Sequence, residues 1–235
     1  MKRHVIAVAR RVALAAGLAA AVTTPPMLSM PVWSAAAEPC PDVEVVFARG
    51  TGEPPGLGGI GGSFVDALRP QIGSRSLGVY PVNYPASTDF GSPDFPKTVI
   101  EGIRDASSHI QSMAASCPNT RQVLGGYSQG AAVAGYVTSA AVPPGVPAAA
   151  VPAPMAPEIA NHVAAVVLFG TPSPQFLGQY GAPPIAIGPL YQPKSIQLCA
   201  DGDPICGTGE SAATHTLYAV NGMTNQGADF AASRL

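Results

Sequence analysis

Three residue types that together can open an ester or amide lie in one chain order: Ser128, then Asp201 and Asp203, then His215. A serine hydroxyl is a weak nucleophile until a base takes its proton, and histidine is the usual base near neutral pH. Ser128 stands in Gly126-Tyr127-Ser128-Gln129-Gly130, a G-x-S-x-G between an apolar run and a small-residue run. That pattern places a nucleophile on a strained strand-to-helix turn, where larger side chains in place of the glycines would clash with backbone. The competing reading is a tight glycine turn whose serine only caps the next helix.

Chain order selects the partners. Of the four histidines, His4 lies in the N-terminal stretch, His109 precedes the serine, and His162 has only Glu158 between itself and Ser128. In this kind of hydrolase the acid falls between serine and histidine, so His215, preceded by Asp201, Asp203 and Glu210, is the expected base. The acid fixes the imidazole tautomer and must be held rigidly. Asp201 and Asp203 both sit between Cys199 and Cys206, and residue chemistry alone does not separate them. A developing oxyanion needs preorganised donors. The Gln129 backbone N–H is one candidate, and Thr51, in the Arg49-Gly50-Thr51-Gly52 loop, is the other; an ordinary turn threonine is its alternative reading.

The elements that must position these residues alternate. Residues 43–48, 77–82, 122–127, 163–169 and 195–198 read as short apolar strands. Residues 63–72, 97–115, 129–139 and 228–233 carry helical spacing or follow it. This order favours an α/β fold: a three-layer sandwich around a central parallel sheet of about five strands. Ligands in such sheets bind at the carboxyl ends of strands, so the site is expected on the loops after Ala48, Tyr127, Phe169 and Leu198. Residues 142–157, VPPGVPAAAVPAPMAP, fit no element and read as a semi-rigid Pro/Ala-rich surface loop, a solvated linker rather than a partner-binding motif.

The N-terminus has Lys2, Arg3, Arg10 and Arg11, an apolar run broken at Thr23-Thr24-Pro25-Pro26, and Ala35-Ala36-Ala37. We read residues 1–37 as a signal peptide rather than a retained anchor, because the run is short of the ~20 residues a span needs. Residues 38–235 then form one domain. Its eight basic against fourteen acidic side chains give a formal charge of −6, and no basic cluster recommends a nucleic-acid partner. Cys40, Cys117, Cys199 and Cys206 all fall in the exported part, where thiols pair. The short turn-rich stretch from Cys199 to Cys206 favours pairing these two and leaves Cys40 for Cys117. No C-x-x-C spacing supports a metal site.

Ala48-Arg49-Gly50-Thr51, Gly125-Gly126-Tyr127-Ser128-Gln129-Gly130, Asp203-Pro204-Ile205-Cys206 and His215 together resemble the cutinase family, in particular its mycobacterial branch. The resemblance runs from Cys40 to the C-terminus. It implies Asp203 rather than Asp201 as the acid, the pairings Cys40 with Cys117 and Cys199 with Cys206, and Thr51 with Gln129 as oxyanion donors. It also implies a secreted serine esterase acting on short- to medium-chain acyl esters, extending to lipids or polyesters, with no metal or organic cofactor and as a monomer. Two departures stand out: residues 142–157 are longer than the family usually has there, and fungal cutinases carry serine where this chain has Thr51. A carbohydrate deacetylase on the same fold is the rival enzyme, weakened by few aromatics; an inactive secreted binding protein is the rival from another class.

Overall fold

The computed structural model describes residues 40–235; the signal-peptide reading of residues 1–37 lies outside them. In chain order the elements are β1 (Val43–Ala48), α1 (Gly58–Leu68), β2 (Leu77–Pro81), α2 (Phe95–Ser116), β3 (Arg121–Tyr127), α3 (Gln129–Val137), β4 (Val163–Phe169), α4 (Pro174–Gly178), β5 (Ser195–Leu198) and α5 (Met223–Ala232). All five strands are parallel, in the order β2-β1-β3-β4-β5. The chain therefore steps outward from β1 to β2, returns to β3 on the other side of β1, and continues in one direction. The reversal opens a crevice between the carboxyl ends of β1 and β3.

Alternation along the central strands divides two apolar layers. Val43, Val45 and Phe47 of β1 join Phe64 and Leu68 of α1 and Ala228 of α5 on one face. Val46 and Ala48 join Ala106 and Ile110 of α2 and Ala131, Val133 and Val137 of α3 on the other. The first layer is anchored by Phe47, Phe64 and Phe169, whose ring centroids lie 5.7–6.4 Å apart. Truncating a ring of that kind to alanine costs about 3–5 kcal/mol.

Two helices start where propensity argues against them. α1 begins at Gly58, five residues before the expected start, despite four glycines in its first five residues. A Cβ on Gly61 would fall 2.6 Å from the Phe47 ring, so bare backbone is what lets this helix lie close to the sheet. Pro70 then tightens its continuation into a 3-10 turn over Arg69–Ile72. α5 starts at Met223 rather than near residue 228, after Gly222 in the left-handed conformation.

Both disulfides are formed, Cys40–Cys117 and Cys199–Cys206. The first ties the entry to β1 to the end of α2, across a sequence separation of 77. Loop-closure entropy for that span gives about 4 kcal/mol of stabilisation. Replacing Cys40 and Cys117 by serine together is expected to lower the thermal midpoint clearly while ester turnover at 25 °C persists, measured by calorimetry beside an activity assay.

Candidate active site

β3 ends and α3 begins with no connecting residue except Ser128, whose backbone takes φ 55° and ψ −117°. For a residue with a Cβ that conformation is strained by about 1–3 kcal/mol. The turn holds because everything around it is close. A Cβ on Gly130 would sit 2.0 Å from the Ala48 carbonyl oxygen, and one on Gly126 would sit 2.2 Å from the Gly130 carbonyl oxygen. The Ser128 N–H donates to the Phe169 carbonyl at 2.9 Å, and its carbonyl accepts from the Ala132 N–H at 3.1 Å. Oγ is thereby lifted above the carboxyl edge of the sheet.

His215 comes from a 3-10 helix, Ala212–Ala219, that the sequence pattern did not announce. Its Nε2 lies 2.8 Å from Ser128 Oγ and its Nδ1 lies 2.7 Å from Asp203 Oδ2. The network assigns the ring proton to Nδ1, donating to the carboxylate, so Nε2 is free to accept from the serine. Two contacts fix the ring's place. The Tyr127 hydroxyl donates to the His215 carbonyl at 2.6 Å, and Gly170, at φ 58°, passes so near that a Cβ would lie 2.8 Å from the imidazole Cε1.

Asp203 is fully buried in the loop closed by Cys199 and Cys206, whereas Asp201 is exposed. Its carboxylate accepts from His215, from the Ile205 N–H at 2.8 Å and from the Tyr218 hydroxyl at 2.6 Å. Tyr218 in turn accepts from the Ala200 N–H at 3.1 Å. Burial by itself pushes the Asp203 pKa up; the hydrogen bonds from Tyr218, His215 and Ile205, with the attraction of the imidazole, outweigh it and hold the carboxyl below its ordinary range. Burial and the same carboxylate push the Tyr218 phenol up, so it remains a donor.

Thr51 and Gln129 line the same cavity as Ser128 and His215, and neither backbone N–H donates a hydrogen bond among the described residues. Gln129 heads α3, where a helix terminus adds positive potential. The Thr51 loop is braced from beneath. Buried Arg49 donates to the carbonyls of Glu53 (2.8 Å) and Tyr84 (2.7 Å), and the Tyr84 hydroxyl donates to the Arg49 carbonyl at 2.5 Å. The Glu53 carboxylate receives the N–H groups of Gly50 and Gly59 at 2.6 and 2.7 Å. Glu53, Tyr84 and Tyr218 had no motif to mark them: each acts on another residue's backbone or carboxylate, and single-residue patterns do not carry such relations.

From Ser128 a cavity of about 620 Å³ runs between α2 and α3, and among the described residues no Asp, Glu, Lys or Arg lines it. Residues 142–155 form one wall, so this segment is more than a solvated linker. At the mouth the half-exposed rings of Phe90 and Tyr180 meet at 5.3 Å. Cys199, Asp203 and Cys206 cluster in space, but the two sulfurs are bonded to each other, which removes them as thiolate ligands.

A five-stranded parallel sheet flanked by helices, with a serine on a strained turn at its carboxyl edge, defines an α/β-hydrolase. The chain belongs to the cutinase family, whose model, described as Cutinase, matches residues 39–235. It is similar to the probable carboxylesterase Culp7 of Mycobacterium tuberculosis, 81% identical over 165 residues, covering 70% of this chain and 88% of that one. It is also similar to the carboxylesterase Culp1 of the same organism, 48% identical over 217 residues and covering 91% of each. Among solved structures, the Trichoderma reesei cutinase in complex with a C11Y4 phosphonate inhibitor superposes with a TM-score of 0.60 at 34% identity, covering 83% of this chain and 77% of that one. The protein is thus a carboxylic ester hydrolase.

The folded pKa of Asp203 lies below the unfolded carboxylate value of about 3.9, so its ionised form contributes stability above that value, lost as pH falls through the folded pKa. Tyr218→Phe removes one donor and raises the folded pKa. Acid unfolding followed by circular dichroism is then expected at higher pH than in wild type, with a loss of about 1–3 kcal/mol near neutrality; an unmoved acid midpoint would refute this account of the network.

Proposed function

We propose that the protein is a secreted serine esterase in which Ser128, His215 and Asp203 act through an acyl-enzyme. The observation that carries the reading is the unbroken pair of short contacts, 2.8 Å from Ser128 Oγ to His215 Nε2 and 2.7 Å from His215 Nδ1 to Asp203 Oδ2. Ser128 Oγ attacks the ester carbonyl carbon as its proton passes to Nε2. The carbonyl oxygen becomes an oxyanion and accepts from the backbone N–H groups of Thr51 and Gln129. Collapse breaks the bond to the leaving alcohol, which takes the proton from Nε2. Water then repeats the sequence on the acyl-serine and releases the acid.

Asp203 stays a carboxylate throughout: its place is to hold Nδ1–H and to stabilise the imidazolium. Two bonded disulfides support secretion, since they persist in oxidising compartments. No helix among the described residues is long and apolar enough to cross a membrane. The uncharged cavity favours acyl esters over the deacetylation of a carbohydrate, whose hydroxyl groups need polar partners.

Ser128→Ala is expected to abolish hydrolysis of p-nitrophenyl butanoate and labelling by a phosphonate ester, with an unchanged circular dichroism spectrum. Turnover by that variant equal to wild type would overturn the assignment. Asp203→Asn is expected to lower kcat by about 10²–10⁴-fold with KM little changed, because the amide donates a hydrogen where the imidazole also donates. Replacing Cys199 and Cys206 by serine should likewise cut kcat, with a smaller effect on global stability than loss of the Cys40–Cys117 bond, because its sequence separation is 7 rather than 77.

A further inference from the structure

The Thr51 N–H lies between two pinned peptides. The Gly52 N–H that follows it donates to the Ala86 carbonyl at 2.7 Å. The peptide that precedes it, Gly50–Thr51, is held through Glu53, whose own N–H donates to the Gly50 carbonyl at 3.3 Å. In a planar trans peptide the carbonyl and the next N–H point in opposite directions. Tying the Gly50 carbonyl to Glu53 therefore turns the Thr51 N–H away from Glu53, and Thr51 lines the cavity beside Ser128. Glu53 also holds Gly50 by its other end, its Oε2 accepting from the Gly50 N–H at 2.6 Å. A Cβ on Gly50 would fall 2.5 Å from the ring of Tyr127, the residue before the nucleophile. Gly50 is thus clamped between Glu53 and β3, the strand that carries Ser128 at its end.

The carboxylate that does this is seated on the start of α1. Its Oε1 accepts from the Gly59 N–H at 2.7 Å, and Leu57, at the N-cap, has no side chain able to cap the helix. Gly58, at φ 69°, leaves the seat open: a Cβ there would lie 2.2 Å from Oε2. A helix start favours negative charge, and a carboxylate has an acceptor oxygen for each of the two N–H donors. A carboxamide has one such oxygen and would set its NH2 against the other donor. Arg49 completes the arrangement by donating to the Glu53 carbonyl at 2.8 Å. The glycines that oppose helix at the start of α1 are what let a carboxylate from the preceding loop come this close.

We propose that Glu53 is a positioning residue for ester hydrolysis, aiming the Thr51 N–H at the oxyanion without touching substrate. This inference rests on the Ser128 reading above and assigns control of one oxyanion donor to a residue outside the cavity, since Glu53 does not line it. The consequence is specific to the transition state. A ground-state carbonyl oxygen carries little charge and gains little from a well-aimed donor, whereas the tetrahedral oxyanion carries a full charge and gains most. Loosening the Gly50–Thr51 peptide therefore removes rate and leaves substrate binding in place. The Gln129 N–H heads α3 and is placed by the turn at Ser128, so part of the oxyanion stabilisation persists without Glu53.

The test is kcat and KM for p-nitrophenyl butanoate, beside the Ki of butyl trifluoromethyl ketone, whose adduct with a catalytic serine carries an oxyanion. Variants are checked for folding by circular dichroism, with Ser128→Ala as blank. Glu53→Gln is expected to lower kcat roughly 10–100-fold with KM little changed, less than the ~10²–10³-fold that deleting a donor costs, because the donor is misaimed rather than removed. The Ki of the ketone is expected to rise by the same factor as kcat/KM falls, which loss of stability alone would not produce. Glu53→Asp, too short to reach both N–H groups, is expected to fall between Glu53→Gln and wild type. Gly58→Ala drives a Cβ into the seat without altering Glu53 and is expected to repeat the Glu53→Gln pattern, which keeps the test decisive if the Glu53 variants misfold. Gly62→Ala, on the same helix where a Cβ meets nothing within 4 Å, is expected to behave as wild type. Wild-type kcat in Glu53→Gln and Gly58→Ala, a loss of kcat with unmoved Ki, or an equal loss in Gly62→Ala would each overturn the positioning role and leave the esterase standing. Absence of Ser128-dependent turnover by the wild type would instead overturn the hydrolase reading, and this inference with it.

Discussion

The backbone at Ser128 is the constraint around which the molecule is organised. A β-strand can pass into an α-helix in one residue only if that residue adopts a conformation that side chains resist, here φ 55°. The strain of about 1–3 kcal/mol must be absorbed by packing that leaves no alternative. The bare backbone of Gly126 and Gly130 allows the approach to Ala48, and the hydrogen bond from the Ser128 N–H to Phe169 ties the turn to the neighbouring strand. Thus β1, β3 and β4 all contribute to holding one hydroxyl. A central position in the sheet is required for this, because an edge strand has a neighbour on one side only.

The second demand is that a buried charge be kept ionised. Asp203 has no contact with solvent, and an isolated carboxylate in that setting would protonate. Three donors prevent it: the imidazole and the Tyr218 hydroxyl, both from the 3-10 helix Ala212–Ala219 with Tyr218 packed into the layer under α1 and α5, and the Ile205 amide from the disulfide loop. The acid is therefore coupled to the core through Tyr218. The short disulfide acts on the same loop, which also contains Gly202, and restricts a segment that would otherwise have large conformational freedom to lose.

The parallel sheet, its strands and the glycine turn at Ser128 were legible in the sequence because each has a local signature. β4 is a continuous apolar run, β1 is one broken only by Glu44, β3 is apolar from Val123 on, and the glycines around Ser128 stand at fixed offsets. His215 was legible by chain order, but Asp203 was separated from Asp201 only by family resemblance, since burial decides between them and burial is not local. α1 was cut short in the sequence reading because its glycines oppose helix on propensity, and the ring of Phe47 that makes Gly61 necessary is distant in sequence. The 3-10 helix around His215 has no apolar period to display. Residues 142–155 face the cavity through side chains at uneven spacing, so an extended, proline-rich segment with one apolar face looks like a linker.

The two layers flanking the sheet divide the work. On the side of α1 and α5 the core is filled by large rings, Phe47, Phe64, Phe169 and Tyr218, and nothing in it touches substrate space. On the side of α3 the residues after Ser128 are small, with Gly130, Ala131, Ala132, Ala134 and Gly135 in one short helix. Small residues bring that helix close to β3, as the strained turn at Ser128 requires, and the same economy of volume leaves space between α3, α2 and residues 142–155. The enclosed apolar volume and the strained turn are thus consequences of one choice of side chains. A bulkier α3 would lose both the approach of Gly130 to Ala48 and the room beside Ser128, whereas the opposite layer is free to take large rings.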